Sequence, residues 1–346
     1  MRSYEVTIGI PVYNAAKFVG RALDTVLNQT FNDLEILVVD DCSTDNTLAI
    51  IEQYRREHRR GDCIRVIRQE KNGGPSAARN RMIDEAWGKY LYFMDADDAI
   101  EPNTIELFYE KAKAFDADMV YGSYKRIFTE NDKVVDTICY SYPYKEFSAP
   151  DDYACYAYEG KVQTMTWNYL VKLNILKQNN LRFAPVGYGE DYTFTVDLPT
   201  YVTRVVLLPD ITYSNYVRDV NTRRWNNNVT REMMDAYIKT IDEKKRRTFL
   251  KDKPYYARRC EILVMYDFSF VEQILERRDQ LRPRYTNREI RDVMWHPMSL
   301  MEILHSTGKR TKNLGAYIVS KLPPVIAVYA IRIAIDVLFR HYKSEK

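Results

Sequence analysis

Strand and helix periods alternate through the first 130 residues, and few architectures accept that order. "EVTIGIPVY", "LEILVVDD", "CIRVIRQ" and "YLYFM" are short apolar runs of strand length. Between them, "AKFVGRALDTVLNQT" spaces Phe18, Val19, Ala22, Val26 and Leu27 as a helix does, and "STDNTLAIIEQYRREH" opens on capping residues. "GGPSAARNRMIDEAW" sets Pro75 at a first helical position after Gly73-Gly74. "PNTIELFYEKAKAF" reads as a further helix and "ADMVYGSYKRIF" as a further strand. The expected fold class is therefore α/β, a mostly parallel sheet with helices on both faces.

Two of these strands end in acid. Asp40 and Asp41 close one, and Asp95, Asp97 and Asp98 follow another. Ligands of open α/β sheets bind outside the carboxyl ends of the strands, so both clusters are predicted to face one crevice. Three carboxylates in four positions repel one another, and a bound cation relieves that. Oxygen donors without His or Cys favour Mg²⁺ or Mn²⁺, whose shells are completed by water and substrate phosphates. A nucleotide diphosphate is the simplest such ligand. The plainer alternative has Asp97 or Asp98 capping the helix that starts near Pro102. Neither G-x-x-x-x-G-K-[ST] nor G-x-G-x-x-G occurs, so phosphates fall to the metal and to side chains. Arg79 is the natural cationic partner, unless it is an ordinary exposed helix arginine.

Charge is unevenly spread. Residues 1–125 carry 16 Lys and Arg against 21 Asp and Glu, and the remainder carries 35 against 27. The basic part suits a phosphate-bearing ligand, an anionic membrane surface or a solvated face; no nucleic-acid partner is expected. Five cysteines without a C-x-x-C pair argue against a disulfide framework and a zinc site. "MRSYEVTIGIPVYN" has no apolar stretch of secretory-signal length, so a cytoplasmic location is expected.

The tyrosine-rich stretch 131–160 is either ordinary aromatic packing or a surface for an acceptor sugar. From about Tyr213 onward the pattern turns helical and basic. The expected division is an α/β catalytic domain over 1–225 and a helical region over 226–346. In "PPVIAVYAIRIAIDVLFRHYK", residues 323–343, Arg332 and Asp336 interrupt the run short of the ~20 apolar residues of a membrane span. Two readings stay open: a terminal helix packed on the protein body, or a helix in a bilayer interface with Lys321, Arg332, Arg340 and Lys343 near anionic lipid.

Five motifs then occur in one order: "IPVYN" (10–14), "VVDDCSTDNT" (38–47), "NGGPSAARN" (72–80), "FMDADD" (93–98) and "GEDYTF" (189–194). In sequence and spacing they resemble family 2 glycosyltransferases of GT-A fold, over roughly the first 220 residues. The resemblance implies roles residue by residue. Pro11, Val12 and Tyr13 would line the nucleotide base and Asp41 would read it, usually uracil. Asp95 would contact ribose, and Asp97 would bind the metal that bridges the diphosphate. Arg79 would line the sugar-nucleotide pocket. Asp191 would be the base of an inverting enzyme, with Glu190 its first alternative, and Trp167 in "MTWNYL" would lie on the acceptor side.

The chemistry is consistent with those roles. A metal and Arg79 would stabilise charge growing on the leaving diphosphate, and a base would take the proton of an attacking hydroxyl. The stretch "YSNYVRDVNTRRW" departs from the family's usual closing loop, leaving Arg218 and Arg223 as candidates there. The resulting expectation is a metal-dependent inverting transferase. It would use a nucleotide-diphosphate sugar, UDP before GDP or dTDP, and a carbohydrate or lipid-linked glycan acceptor. Its rivals are a sugar nucleotidyltransferase and a catalytically inactive glycan-binding module on the same fold. Neither the sugar nor the oligomeric state is readable.

Overall fold

The computed structural model describes residues 4–131, 133–186, 189–218, 229–306 and 310–343. The described chain divides into two compact units. One comprises Met1–Tyr153, Gln163–Pro185 and Glu190–Arg223; the other comprises Ala154–Val162, Val186–Gly189 and Arg224–Lys346.

The first unit opens with the alternation the periods predict. Strand β1 (Tyr4–Val12) leads to α1 (Val19–Leu27), β2 (Leu34–Asp40) to α2 (Thr47–Glu57), and β3 (Ile64–Arg68) to α3 (Gly74–Glu85). Then come β4 (Gly88–Phe93), the short β5 (Ala99–Ile100), α4 (Thr104–Phe115) and β6 (Met119–Glu130). Every residue of β2 is buried, as a central strand covered on both faces requires. Gly88 lets β4 approach β1 closely, since a Cβ there would lie 2.4 Å from the Thr7 backbone nitrogen.

The rest of the sheet is less regular. Strand β7 (Lys133–Tyr140) folds back on β6 as a hairpin, β8 (Lys145–Phe147) pairs with β10, and β9 (Tyr169–Lys172) enters mid-sheet. Strand β10 spans Val205–Arg218, so the chain from Tyr213 continues as strand where a turn to helix was expected; the polar Ser214, Asn215 and Arg218 break the apolar alternation there. The main order is β3-β2-β1-β4-β9-β6-β10-β5. The first four strands run parallel, β9 is antiparallel to both its neighbours, and β10 is parallel to β6. The 131–160 tyrosines mostly pack: Tyr140 stacks on Tyr124, and Tyr142 and Tyr153 are buried, while Tyr144 is exposed.

Short helices α5 (Asp152–Tyr156), α6 (Leu173–Gln178) and α7 (Glu190–Thr195) follow the late strands. The second unit is mainly helical: α8 (Arg231–Lys245), α9 (Tyr256–Glu276), α10 (Asn287–Val293), α11 (Leu300–His305), α12 (Thr311–Lys321) and α13 (Pro324–Lys343). Capping boxes start α10 at Thr286/Glu289 and α11 at Ser299/Glu302. Its interior holds the buried α9 side chains Cys260, Leu263, Val264 and Val271.

Candidate active site

The ends of β1 and β2 are laced together. Asn14 adopts a left-handed backbone (φ 49°) and its side-chain oxygen accepts from the Thr44 and Asp45 backbone N–H groups. Asp40 is fully buried and accepts from Ser43 N–H. Asp41, also buried, accepts from Gln69 Nε2 and from the N–H groups of Gly73 (2.8 Å) and Gly74 (2.7 Å). Gly74 presents its N–H from φ +77°, a conformation glycine adopts without Cβ strain. Asp41 thus holds the start of α3 in place. Of the predicted base-lining residues, Val12 is buried at 1% exposure, while Tyr13 is 43% exposed.

The end of β4 is built differently. The buried Asp98 accepts from Tyr213 Oη (2.7 Å), Tyr216 N–H (2.8 Å) and Asn215 Nδ2. It therefore tethers β10 and caps no helix; α4 starts after Asn103, with no side-chain cap. Burial, then the neighbouring Asp97 and Asp95 charges, push its carboxyl well above the ordinary range. Asp97 keeps 44% of its side chain exposed, with Arg218 Nη1 at 3.2 Å from Oδ2. Its carboxyl is also raised, by burial and by Asp95, with Arg218 opposing. Arg218 in turn lies over the Phe18 ring, and Arg21 lies over Tyr216 and donates to the Asp97 carbonyl.

One guanidinium joins the remaining acids. Arg79, 5% exposed on α3, reaches Asp95 through Nη2 (2.9 Å), and Glu190 (3.0 Å) and Asp191 (3.3 Å) through Nη1. Its burial opposes the charge, but the three carboxylates outweigh that and raise its proton affinity. Asp191 Oδ1 also accepts from Thr166 Oγ1 at 2.8 Å. Burial raises the Asp191 carboxyl and Arg79 opposes; Glu190 and Asp95 add to the rise and Thr166 to the opposition, leaving it at about 6. Both recorded contacts fall on Oδ1, and the side chain is 26% exposed.

The structure thus brings Asp95, Glu190 and Asp191 together around Arg79, with Asp97 two residues along from Asp95. Two candidates sit in surroundings that the sequence does not show. The terminal nitrogens of Arg79 are engaged by three carboxylates. Trp167 presents no face to an acceptor: it is 4% exposed, stacked on Tyr213 (4.5 Å, 8°) and edge-on to Tyr124. Sequence reasoning missed Thr166, Tyr213 and Arg21. The hydroxyl that opens the "TWN" segment, next to Trp167, was the one available signal, for Thr166. Arg223 lies outside the described residues.

Among the described residues, no three His, Cys, Asp or Glu side chains gather as a metal cage. The residues fit a different arrangement. Asp97 offers a half-exposed carboxylate, paired with Arg218 through Oδ2; a single carboxylate suits a hard divalent ion that takes most of its ligands from phosphate and water.

An α/β sheet of this order, with its acids at the strand ends, is the GT-A architecture. The family model "Glycosyl transferase family 2" matches residues 7–169, just under half of the chain. Glycosyltransferase GlyG of Streptococcus pneumoniae is 36% identical over 119 residues, 34% of this chain and 38% of that protein. The poly(ribitol-phosphate) beta-glucosyltransferase of Bacillus spizizenii is 29% identical over 217 residues, 62% of this chain and 32% of that one. The chain thus spans only about a third of the length of these two relatives. S. aureus TarS 1-349, crystallised with UDP-GlcNAc, superposes with a TM-score of 0.66 at 21% identity, over 95% of this chain and 92% of that one; the likeness is one of fold.

Proposed function

We propose that the protein is an inverting, metal-dependent glycosyltransferase. It moves a sugar from a nucleotide-diphosphate donor, UDP-linked in the first instance, to a hydroxyl of a glycan or lipid-linked acceptor in surface polysaccharide synthesis. The observation that carries this is the Arg79 cluster. Carboxylates separated by nearly a hundred residues, Asp95 and Asp191, share one buried guanidinium beside the half-exposed Asp97. Donor and acceptor roles thus fall on neighbouring groups. The UDP assignment leans on the sequence motifs and on the ligand named for TarS. The surface-polymer assignment leans on the named activity of the Bacillus relative.

Each residue has a task in this reading. Asp97 would hold a Mg²⁺ or Mn²⁺ ion, which when bound supplies positive charge to the diphosphate. Asp95 would orient the donor's ribose, and Tyr13 and Asp41 would line its base. Asp191 takes the proton of the acceptor hydroxyl on Oδ2, since Thr166 and Arg79 engage Oδ1. A carboxyl at about 6 is ionised at neutral pH and still basic enough to accept that proton. Arg79 acts as a positioning residue that fixes Asp191 relative to Asp95. Attack opposite the diphosphate inverts the anomeric centre and needs no covalent enzyme–sugar intermediate.

The test is a panel of nucleotide sugars with Mn²⁺ and a glycan acceptor, read by nucleoside diphosphate release. UDP release from one UDP-sugar is expected. Release of pyrophosphate would favour a nucleotidyltransferase. Tight glycan binding with no turnover would favour an inactive binding module.

A further inference from the structure

Helix α13 is apolar on two sides, and only one of them is used inside the second unit. Ala327, Val328 and Ile331 are buried. On the outer side Val325 is 69% exposed, Ile326 53%, Tyr329 68% and Ile333 48%. At about 100° per residue these four fall within one arc roughly 100° wide, which runs apolar over 325–333 and ends at the exposed Asp336, four residues on from Arg332. No helix among the described residues is long and apolar enough to cross a membrane. Nearby α12 leaves Ile318 exposed, and α11 leaves Leu300, Met301 and Leu304 exposed. Scattered exposed apolar residues need no explanation; four on one side of two to three successive helical turns do.

Charge selects the occupant. Residues 309–346 hold eight Lys and Arg against two Asp and Glu, a net +6 in a chain of net +3. The rest of the chain is therefore net negative. Arg332 is exposed beside the apolar arc, and Lys321 is exposed at the end of α12. Arg278 lies close enough to Arg284 and Arg332 that, with its burial, they lower its proton affinity. A second copy docked on this face would bring like charges together, which opposes association. An anionic lipid surface answers both features: the arc enters the headgroup boundary with Tyr329 at the polar interface, and the basic residues meet lipid charge.

We propose that the outer face of α13, bordered by Lys321 and Arg332, binds the surface of an anionic phospholipid bilayer. This does not depend on which donor or acceptor the first unit uses. The experiment is co-sedimentation of the full chain with vesicles of phosphatidylcholine alone or mixed with phosphatidylglycerol, at low and high salt, with light scattering in parallel. The wild type is expected to pellet with the mixed vesicles and at least about tenfold less with phosphatidylcholine alone or at high salt. Ile326→Asp with Tyr329→Asp, and separately Lys321→Glu with Arg332→Glu, should each lose at least about tenfold. All four side chains are exposed, so an unchanged circular dichroism spectrum is expected. Equal pelleting by the wild type and both variants would overturn the proposal. So would absence of vesicle binding, alone or with a dimer that Ile326→Asp/Tyr329→Asp disperses; the dimer would mark a self-association surface.

Discussion

Two parallel strands of one sheet end in acid, and the two ends are built for opposite purposes. At the end of β2, Asp40 and Asp41 are buried and their oxygens are taken by backbone N–H groups, including the start of α3. At the end of β4, only Asp98 is absorbed in this way. Asp97 stays half exposed, its carboxyl raised by burial and by Asp95 against the opposing Arg218, and Asp95 stays 31% exposed while reaching Arg79. A strand-end carboxylate is thus either an internal fastening or an open group, and its sequence context alone does not say which. The difference is one of hydrogen-bond supply: glycine N–H groups face Asp41, whereas the Asp97 carboxylate has a part-exposed guanidinium, that of Arg218, with Asp95 nearby.

The largest effect should come from the group gathered beside the open end. Asp191→Asn keeps the shape and removes the base, so transfer should fall by about 10²- to 10⁴-fold, with donor affinity by calorimetry kept. Turnover near the wild-type rate would move the base to Glu190. Asp97→Ala comes next: UDP affinity with Mn²⁺ should drop at least about tenfold, while affinity without metal stays the same. Its stability to urea should move by no more than about 0.5 kcal/mol, since an exposed pair with Arg218 contributes little.

Asp41→Ala should show the reverse pattern. Losing the acceptor that holds the first N–H groups of α3 should cost about 1–2 kcal/mol in urea unfolding. If Asp97→Ala destabilised as much as Asp41→Ala, the contrast between fastening and open group would collapse.

The first β-α units were legible because period and length settle them: β1 to β4 and α1 to α4 each carry a run long enough to read. Strand β9 was not, since Tyr169–Lys172 has only four residues and its pairing is fixed by neighbours far along the chain. The five motifs marked the acids, but not their partners. Arg79 meets Glu190 across 111 residues, a contact no local pattern encodes. The packing of Trp167 was hidden for a related reason. An aromatic beside a catalytic motif looks like a sugar platform in sequence, yet packing against Tyr213 decides that it belongs to the core.

The finest prediction concerns Thr166, which separates hydrogen-bond supply from charge at the Asp191 carboxylate. If the ionised form of Asp191 is the base, as proposed, transfer should rise with pH along a limb whose midpoint lies near 6. Thr166 donates to that ionised form and lowers the carboxyl's proton affinity. Thr166→Val removes the donor and keeps the shape, so the midpoint should move upward, by up to about one unit. The rate at high pH should stay near wild type, because the carboxylate is ionised there in both proteins. Thr166→Ser restores the hydroxyl and should restore the midpoint. A loss at every pH with an unmoved midpoint would mean that Thr166 only packs, and that burial with Arg79 alone sets the base.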